Sequence, residues 1–385
     1  MALFADDADD RVDQLIALTQ RLTERLAEET RAFEAEFARW AGSRHAIAMA
    51  NGTLALEAAL KALGIGRGDE VVVTPRTFIA SVSCVINEGA IPVFADVDRD
   101  GGVITPDSVR AVMTGRTRAI IPVHLGGWPC DMMGFKALSD ETGVAIVEDC
   151  AQAHGATIGG RNVGTFGAIG AWSFCQDKIM TTGGEGGMVT TDDEELWSRM
   201  WSYKDHGKSF DRMFGKDRAP GFNWVHESFG SNYRMLEVQA VIGRIQLRRM
   251  ADWHERRKRN ALALAEALAA FPNAVRVPMP GEGMEHAFYR LYAYVRPDGL
   301  RSGWDRDRIV EALNARGLPA FQGSCSEVYL EKAFDGTGFA PAERLPVARE
   351  LGDTSIAFLV HPTLSDEDIA LAKSVIDAVF SEASN

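Results

Sequence analysis

Apolar residues near the start of the chain recur at the spacing of an amphipathic helix. The apolar positions between residues 12 and 26, and those between residues 33 and 40, fall roughly three or four residues apart with polar residues between them. This pattern predicts two amphipathic helices. We expect each helix to bury its apolar face against the rest of the protein or against a partner subunit.

From residue 45 onward, short apolar runs alternate with helical patterns. The runs cover residues 45–50, 70–73, 91–97, 118–123, 144–148, 169–174 and 188–191, and helical patterns cover 54–63, 79–88 and 132–142. This alternation predicts an α/β fold, with a mainly parallel sheet covered by helices on both faces. Ligands of such sheets bind beyond the carboxyl ends of the strands, so the residues after each strand are the candidates for chemistry.

The second half of the chain predicts a smaller unit. One long helical pattern runs from residue 236 to 270, and a strand at 290–295 and helices at 305–315 and 366–380 follow it. A chain of 385 residues exceeds what one hydrophobic core normally supports. We therefore predict two domains: residues 1–247, and residues 248–385 with the rest of the long helix and a smaller α+β domain.

Composition excludes several classes of partner. The net charge of −13 argues against nucleic acid or an anionic membrane as the main partner. The five cysteines are odd in number and form no CxxC pair, so we predict neither a disulfide framework nor a metal site. No apolar run approaches the ~18 residues of a membrane span, and the first residues lack the pattern of a signal peptide. We expect a cytoplasmic protein.

Four predicted strands are followed by residues that could together hold a ligand. Gly52 and Thr53 open a helix, where backbone N–H groups can bind an anion, although a plain helix cap is commoner. Phe78 could stack on a flat ring, although most such residues are core. Asp149 closes a buried strand, where a carboxylate needs a partner. Lys178 precedes a cluster of glycines, and a lysine there is most often solvated.

One cofactor accounts for all four strand ends. A phosphate on Gly52 and Thr53, a planar ring on Phe78, a cationic ring nitrogen beside Asp149 and an aldehyde carbon bound by Lys178 together describe pyridoxal 5′-phosphate. A lysine and an acidic partner of the ring nitrogen are the usual protein contributions to this cofactor.

Five ordered motifs carry a resemblance to a known family. They lie at residues 51–56, 77–81, 148–155, around Lys178 with its glycines, and at 230–235. The chain resembles the DegT/DnrJ/EryC1/StrS family of pyridoxal-phosphate-dependent sugar aminotransferases. The resemblance implies the aspartate-aminotransferase-like architecture of fold type I, with a seven-stranded sheet in the large domain. It also implies that Lys178 holds the cofactor and carries a proton, while Asp149 keeps the ring nitrogen protonated.

The same resemblance implies further site residues. Gln152 would contact the ring hydroxyl group, Ser173 would join Gly52 and Thr53 at the phosphate, and Asn232 would reach the phosphate of a neighbouring subunit in a homodimer. Candidate substrate contacts are His154, His206, Tyr289, Arg290 and Ser324. A buried His at position 154 would, however, more often be structural than a ligand.

The implied reaction moves an amino group from glutamate to a keto group of a nucleotide-linked sugar in polysaccharide, glycan or secondary-metabolite biosynthesis. A basic loop at residues 203–228 suits a diphosphate. Segments 322–329 and 358–362 depart from the family pattern, so substrate identity does not transfer with the chemistry. The alternatives are a carbocyclic keto substrate, a same-family sugar dehydratase with histidine in place of the lysine, and a non-catalytic regulator with a broken site.

Overall fold

The structure is a computed structural model that describes residues 28–214 and 224–385. The helix predicted between residues 12 and 26 lies outside the described residues. The second predicted helix is confirmed as α1, Glu28–Ala41, which buries Phe33 and Phe37.

A seven-stranded sheet forms the centre of the larger domain. In chain order, the first nine strands are β1 (His45–Met49), β2 (Glu70–Val73), β3 (Ile91–Phe94), β4 (Thr117–Ile121), β5 (Ala145–Asp149), β6 (Thr157–Ile158), β7 (Arg161–Asn162), β8 (Ile169–Ser173) and β9 (Gly187–Thr191). The central sheet has the order β1-β9-β8-β5-β4-β2-β3, and β9 is antiparallel to both its neighbours while the other pairs are parallel. The predicted mainly parallel, seven-stranded sheet is confirmed.

Helices cover both faces of this sheet, and the strands carry apolar side chains on both faces. The helices are α2 (Gly52–Ala62), α3 (Ala80–Asn87), α4 (Pro106–Arg110), α5 (Met132–Thr142), α6 (Glu194–Lys204), α7 (Phe210–Phe214) and α8 (Glu237–Leu247). Val71 and Val73 of β2 belong to one buried cluster, and Val72 belongs to the cluster on the opposite face. A strand buried on both faces is a continuous apolar run, which explains the sequence pattern.

The single helix predicted over residues 236–270 is wrong. Helix α8 ends at Leu247 and a separate helix, α9, covers Met250–Ala269. Between them, the N–H group of Arg249 donates to the carbonyl of Gln246 at 2.9 Å, three residues back instead of four, which tightens the turn. The two residues of the break, Arg248 and Arg249, both favour helices, so the sequence gives no signal that the helix ends here.

The smaller domain is an antiparallel sheet with helices, which confirms the predicted α+β class. Its elements are β10 (Val275–Arg276), β11 (Met284–Glu285), β12 (Leu291–Val295), α10 (Arg306–Ala315), β13 (Ala320–Phe321), α11 (Pro346–Thr354), β14 (Ser355–Phe358) and α12 (Asp366–Ala383). Its sheet has the order β10-β12-β14-β13, and β11 instead pairs with β6. Within the described ranges, no helix combines the length and the apolar composition needed to cross a bilayer.

The predicted domain division at residues 247 and 248 stays a prediction. Helices α9, α10 and α12 enclose a core of their own with the small sheet. However, Val328, Tyr329 and Phe334 pack into the core of the larger domain, and so do Ala348 and Leu351 of α11. The chain after residue 328 therefore returns to the larger domain before it completes the smaller one.

Candidate active site

A cavity of about 650 Å³ opens at the carboxyl ends of the parallel strands. It is lined by residues that follow β1, β2, β5 and β8, and most of the predicted cofactor contacts line it: Gly52, Thr53, Phe78, Asp149, Gln152, Ser173 and Lys178. The structure therefore brings together residues that are more than 120 positions apart in the chain. Their proposed roles stay predictions, and their geometry is as follows.

One end of the cavity is the amino terminus of α2. The side chain of Asn51 caps this helix, because its Oδ1 accepts a hydrogen bond from the N–H group of Leu54 at 2.9 Å. A Cβ atom on Gly52 would lie 2.6 Å from Cβ of Ser173, so only glycine allows the strand end of β8 to approach the helix start this closely. The backbone N–H groups of the first helical turn, the Thr53 hydroxyl and the Ser173 hydroxyl thus form a cradle suited to a phosphate.

Asp149 lies at the floor of the cavity and is 5% exposed. It accepts hydrogen bonds from the hydroxyl of Ser81 at 2.7 Å and from the N–H group of Ala151 at 3.1 Å. Ser81 is itself within 2.8 Å of the hydroxyl of Thr77. Burial raises the pKa of Asp149, and the bond from Ser81 opposes that change. A buried carboxylate held in this way is stabilised by a cation placed next to it.

Gln152 has a fixed orientation in the cavity wall. Its Oε1 accepts a hydrogen bond at 2.7 Å from the N–H group of Gly126. Because a backbone N–H group can only donate, this bond assigns the oxygen and leaves the amide nitrogen as the donor that Gln152 can offer to a ligand. Gly126 has a positive φ of 64°, and its position is therefore favourable for glycine.

Phe78 stands at the mouth of the cavity with 66% of its surface exposed. A large apolar side chain so exposed, at the edge of a cavity lined by polar groups, is typical of a surface that a ligand covers. Phe78 is thus placed to stack on a planar ring.

Lys178 reaches the cavity from the loop after β8, and its side chain is 15% exposed. Its Nζ lies 3.7 Å from Oδ1 of Asp177 and 5.2 Å from the ring centroid of Tyr289. The hydroxyl of Tyr289 donates to Oδ2 of Asp177 at 2.7 Å. Partial burial raises the pKa of Asp177, but the bond from Tyr289 and the charge of Lys178 outweigh it, and the net change is downward. Asp177 therefore stays ionised and holds both neighbours in place.

A second cavity of about 500 Å³ adjoins the first at Phe78, Gln152 and Lys178. Three predicted substrate contacts line it: Tyr289, Arg290 and Ser324. The hydroxyl of Tyr292 accepts from the N–H group of Ser324 at 3.0 Å. The two cavities share Lys178 and offer room for two ligands side by side.

The other two predicted substrate contacts lie outside these cavities. His154 is completely buried beside Trp172 and Phe174, with ring centroids 5.3 and 5.7 Å away. Burial lowers the pKa of His154 to about 3, so the ring is neutral. Its burial leaves no surface for a substrate to touch, and its position favours the structural interpretation. His206 is exposed on the surface next to the bridge between Asp205 and Asn232.

Sequence reasoning assigned no role to Ser81, Asp177 or Tyr292. Ser81 belongs to the motif at residues 77–81, so its spacing from Phe78 was a usable signal. Asp177 directly precedes Lys178, but adjacency alone does not predict the contact, because successive side chains often point in different directions. The sequence gives no signal for a role of Tyr292, which lies within strand β12. The distance of this strand from the cavity depends on how the two domains pack together.

A buried cluster behind Asp149 has the composition of a metal site but not its bonding. The ligand atoms of His124, Glu148 and Cys150 lie within 4.8 Å of one another. The carboxylate of Glu148 accepts backbone N–H groups of Gly164, Phe166 and Gly167, each at 2.7 Å. His124 Nδ1 accepts from the N–H group of Cys130 at 3.0 Å, so its Nε2 carries the proton towards Glu148 at 3.1 Å. These bonds use the lone pairs a metal would need, and the cluster anchors the loop before β8.

Comparison with known proteins agrees with this geometry. The profile of the DegT/DnrJ/EryC1/StrS aminotransferase family matches residues 6–380. The chain belongs to this family. An X-ray structure of the aminotransferase from Psychrobacter cryohalolentis is similar to it, with 55% identity, coverage of 99% of this chain and 98% of that chain, and a TM-score of 0.93. The predicted family and fold are confirmed.

Two relatives with assigned reactions are similar to this aminotransferase over most of its length. The UDP-N-acetyl-3-dehydro-alpha-D-glucosamine 3-aminotransferase of Acidithiobacillus ferrooxidans is 36% identical over 351 residues, which cover 91% of this chain and 88% of the relative. The dTDP-3-amino-3,4,6-trideoxy-alpha-D-glucose transaminase of Streptomyces venezuelae is 35% identical over 354 residues, which cover 92% and 87%.

The cofactor of this aminotransferase is pyridoxal 5′-phosphate, as in its family. The larger cavity fits it: the α2 terminus and Ser173 would hold the phosphate, Phe78 the ring face, Gln152 the ring hydroxyl and Asp149 the ring nitrogen. The buried, hydrogen-bonded carboxylate of Asp149 is the observation that supports the fit most, since a cationic partner would stabilise its charged form. When bound, the cofactor supplies an electron sink for the bonds of the amino-bearing carbon.

Proposed function

We propose that this aminotransferase moves an amino group from glutamate to a keto group of a nucleotide-linked sugar. The observation that carries the proposal is the second cavity, which adjoins the cofactor cavity and shares Lys178 with it. Its volume of about 500 Å³ lies in the range typical of small-molecule binding sites, ~300–1,000 Å³. The two relatives named above for UDP-linked and dTDP-linked sugars support the substrate class.

The residues of the site supply the proton chemistry of transamination. Lys178 Nζ borders both cavities, so it is placed to take the proton from the amino-bearing carbon of the donor and would pass it to the carbon of the cofactor that it holds. Asp149 would keep a proton on the ring nitrogen of the bound cofactor, and Ser81 orients Asp149 through its hydrogen bond. Asp177 positions the amine of Lys178 through its charge and positions Tyr289 through a hydrogen bond.

We also propose that two copies of the chain share their active sites. Asn232, the predicted phosphate contact, is exposed and does not line the cavity of its own subunit. Phe229, three residues before it, is 100% exposed in the single chain, and Leu236 is exposed as well. Such exposed apolar residues around a predicted cofactor contact favour an interface with a second copy.

The cysteines support a cytoplasmic location. Cys84, Cys130 and Cys150 are buried free thiols, and burial raises the pKa of each. Free thiols without disulfides are typical of a reducing compartment, so we propose that the reaction takes place in the cytoplasm.

The test follows the two halves of the reaction by the colour of the cofactor. Glutamate should bleach the visible absorption of the lysine-bound cofactor and yield 2-oxoglutarate. The bleached enzyme should then recover its colour with at least one member of a panel of UDP-, dTDP- and GDP-linked keto sugars. Recovery only with carbocyclic ketones would replace the sugar proposal. Bleaching by other amines but not by glutamate would reject the proposed donor.

A further inference from the structure

Arg290 is a cation of the second cavity that forms no direct ion pair with a described carboxylate, although its charge is near enough to help lower the pKa of Asp177. Among the described residues, no acidic group lies within ion-pair distance of its guanidinium, which bonds to the carbonyl of Tyr289 and lies 4.4 Å from that residue's ring centroid. We propose that Arg290 binds a carboxylate group of the amino donor. This inference rests on the proposed function and assigns the donor site within the same cavity.

The backbone before Arg290 is strained and firmly held. Phe288 has a φ of 50°, a left-handed conformation that is unfavourable for a residue with a side chain. Its N–H group donates to Nδ1 of His286 at 2.7 Å, and its carbonyl accepts from Nη1 of Arg257 at 3.2 Å. His286 also stacks on the ring of Phe288, with centroids 4.4 Å apart. Strain that persists under this many contacts is typical of a segment whose precise course matters for a ligand.

The same segment is tied to the cofactor cavity. The N–H group of Ala287 donates to the carbonyl of Gly127 at 2.9 Å, and that of Arg290 donates to the carbonyl of Gly126 at 3.2 Å. Gly126 in turn donates to Gln152. One glycine turn therefore holds both the side chain of Gln152, a predicted cofactor contact, and the backbone of Arg290.

Charges behind Arg290 favour an anion in front of it. Arg257 is 1% exposed, and its Nε has no hydrogen-bond partner among the described residues. Burial, followed by the nearby charge of Arg290, lowers the pKa of Arg257 to about 10. Asp177 borders the same cavity, but it bonds to Tyr289 and pairs with Lys178. Arg290 also helps to lower the pKa of Asp177, yet that carboxylate is already engaged, so a bound anion would further stabilise the two neighbouring cations.

The position of Arg290 favours the donor over the nucleotide sugar. Arg290 and Lys178 lie against the same ring, at 4.4 and 5.2 Å from the centroid of Tyr289, so they cannot be farther apart than the sum of these distances. An amino acid carries a carboxylate one bond from its amino-bearing carbon, and glutamate carries a second one nearby. The diphosphate of a nucleotide sugar is attached through the anomeric oxygen, so it is farther in bonds from a keto carbon at position 3 or 4 than a carboxylate is from the amino-bearing carbon of an amino acid. Guanidinium groups bind carboxylates through two parallel hydrogen bonds, which would also orient the donor.

The experiment measures the two half-reactions separately in Arg290→Gln and Arg290→Lys, with Arg118→Gln as the control at an exposed arginine of β4. The donor arm is the glutamate concentration that half-saturates bleaching of the holoenzyme, and it needs no sugar. The acceptor arm starts from enzyme loaded with pyridoxamine phosphate and uses the keto sugar that the wild type accepts. Calorimetry with glutarate, a dicarboxylate without an amino group, gives a binding readout that is independent of turnover.

We expect Arg290→Gln to raise the half-saturating glutamate concentration about ten- to a hundredfold, the loss expected for one charged hydrogen-bonding partner. Glutarate binding should weaken in parallel, Arg290→Lys should recover part of both, and the acceptor arm and the control should stay near wild type. An unchanged donor arm, a loss confined to the acceptor arm, or equal losses in both arms would overturn the inference. If no keto sugar is accepted by the wild type, the proposed substrate class fails while the donor arm and the glutarate titration still decide the role of Arg290.

Discussion

Replacing Asp149 with asparagine tests the centre of the site, because the change keeps the size of the side chain and removes only its charge. In the structure this carboxylate accepts hydrogen bonds from Ser81 and Ala151 at the end of β5. An asparagine oxygen can keep one of these bonds, and its amide group can reorient towards the hydroxyl of Ser81. We therefore expect Asp149→Asn to fold and to bind the cofactor phosphate normally.

The expected effect on activity is large. A neutral amide can hydrogen-bond a ring nitrogen but cannot keep it protonated, so the electron sink is weakened. Orienting carboxylates in other active sites are worth about 10²–10⁴-fold in rate, or roughly 3–5 kcal/mol of transition-state stabilisation. We therefore expect the bleaching rate at saturating glutamate to decrease by a factor of about 10²–10⁴ in Asp149→Asn.

The expected effect on stability has the opposite sign. Burial raises the pKa of Asp149, so the folded chain binds a proton more readily than the unfolded chain. The free energy of unfolding of the cofactor-free protein therefore falls as the pH rises from the ordinary Asp pKa through the raised one, by about 1.4 kcal/mol for each pKa unit that separates them. Asp149→Asn has no such loss, so at neutral pH the cofactor-free variant should be at least as stable as the wild type.

Two measurements check these expectations. Stopped-flow absorption gives the bleaching rate of the holoenzyme, and thermal unfolding of the cofactor-free protein across the acidic-to-neutral range gives the stability. Asp140→Asn, at an exposed carboxylate that pairs with Lys136, is the matched control and should leave both quantities unchanged. A variant within about threefold of the wild-type rate would show that the carboxylate has a structural role only. If the cofactor-free variant were clearly less stable than the wild type, the charge of Asp149 would already be compensated by the protein in the absence of the cofactor.

Three further predictions follow from the same geometry. Lys178→Ala should retain the cofactor without a covalent bond and show no turnover. Borohydride reduction followed by mass spectrometry checks the missing bond, since only the wild type should gain the mass of the cofactor. Measurable turnover would reject the assignment. Gly52→Ala should weaken cofactor binding about tenfold or more, because its Cβ would lie 2.6 Å from that of Ser173, whereas Gly115→Ala, which meets open space, should not; equal affinities in a cofactor titration would contradict the proposed phosphate cradle. Mixing inactive Lys178→Ala and Asn232→Asp subunits should restore up to about a quarter of wild-type activity, since half of the dimers are mixed and each has one intact site; no recovery despite proven exchange would show that Asn232 does not act across an interface.

Site residues at strand ends were predictable because a parallel sheet places them at one edge regardless of the conformation of the loops. Gly52, Phe78, Asp149 and Lys178 all follow strands whose apolar runs are clear in the sequence, and parallel strands bring their carboxyl ends to one edge. The fold class, the family and the cofactor followed from that arrangement and from the motifs, and all three are confirmed. The spacing of residues along the chain was sufficient for this part of the site.

Features that depend on the meeting of the two domains were not predictable in the same way. The break between α8 and α9 lies in residues that favour a helix, so only tertiary packing determines it. The left-handed conformation of Phe288 has no sequence signal, since glycine or asparagine would be expected there. His154 belongs to a site motif, yet its ring packs on Trp172 beneath the cavity, and a motif does not say which side of the backbone a side chain takes.

The glycine turn at Gly126 and Gly127 has a consequence for how this enzyme can diverge. A Cβ atom on Gly126 would lie 2.7 Å from the ring of Tyr292, and one on Gly127 would lie 2.9 Å from the backbone nitrogen of Phe288. Any substitution in the turn is therefore pleiotropic, because it disturbs Gln152 and Arg290 together. The segment around Ser324 is anchored as well, since a Cβ atom on Gly323 would lie 2.5 Å from the ring of Tyr292 and the carbonyl of Cys325 accepts from the N–H group of Thr77 at 3.1 Å. Substitutions that change the substrate are therefore expected at side chains that line the second cavity and not at the glycines of its wall.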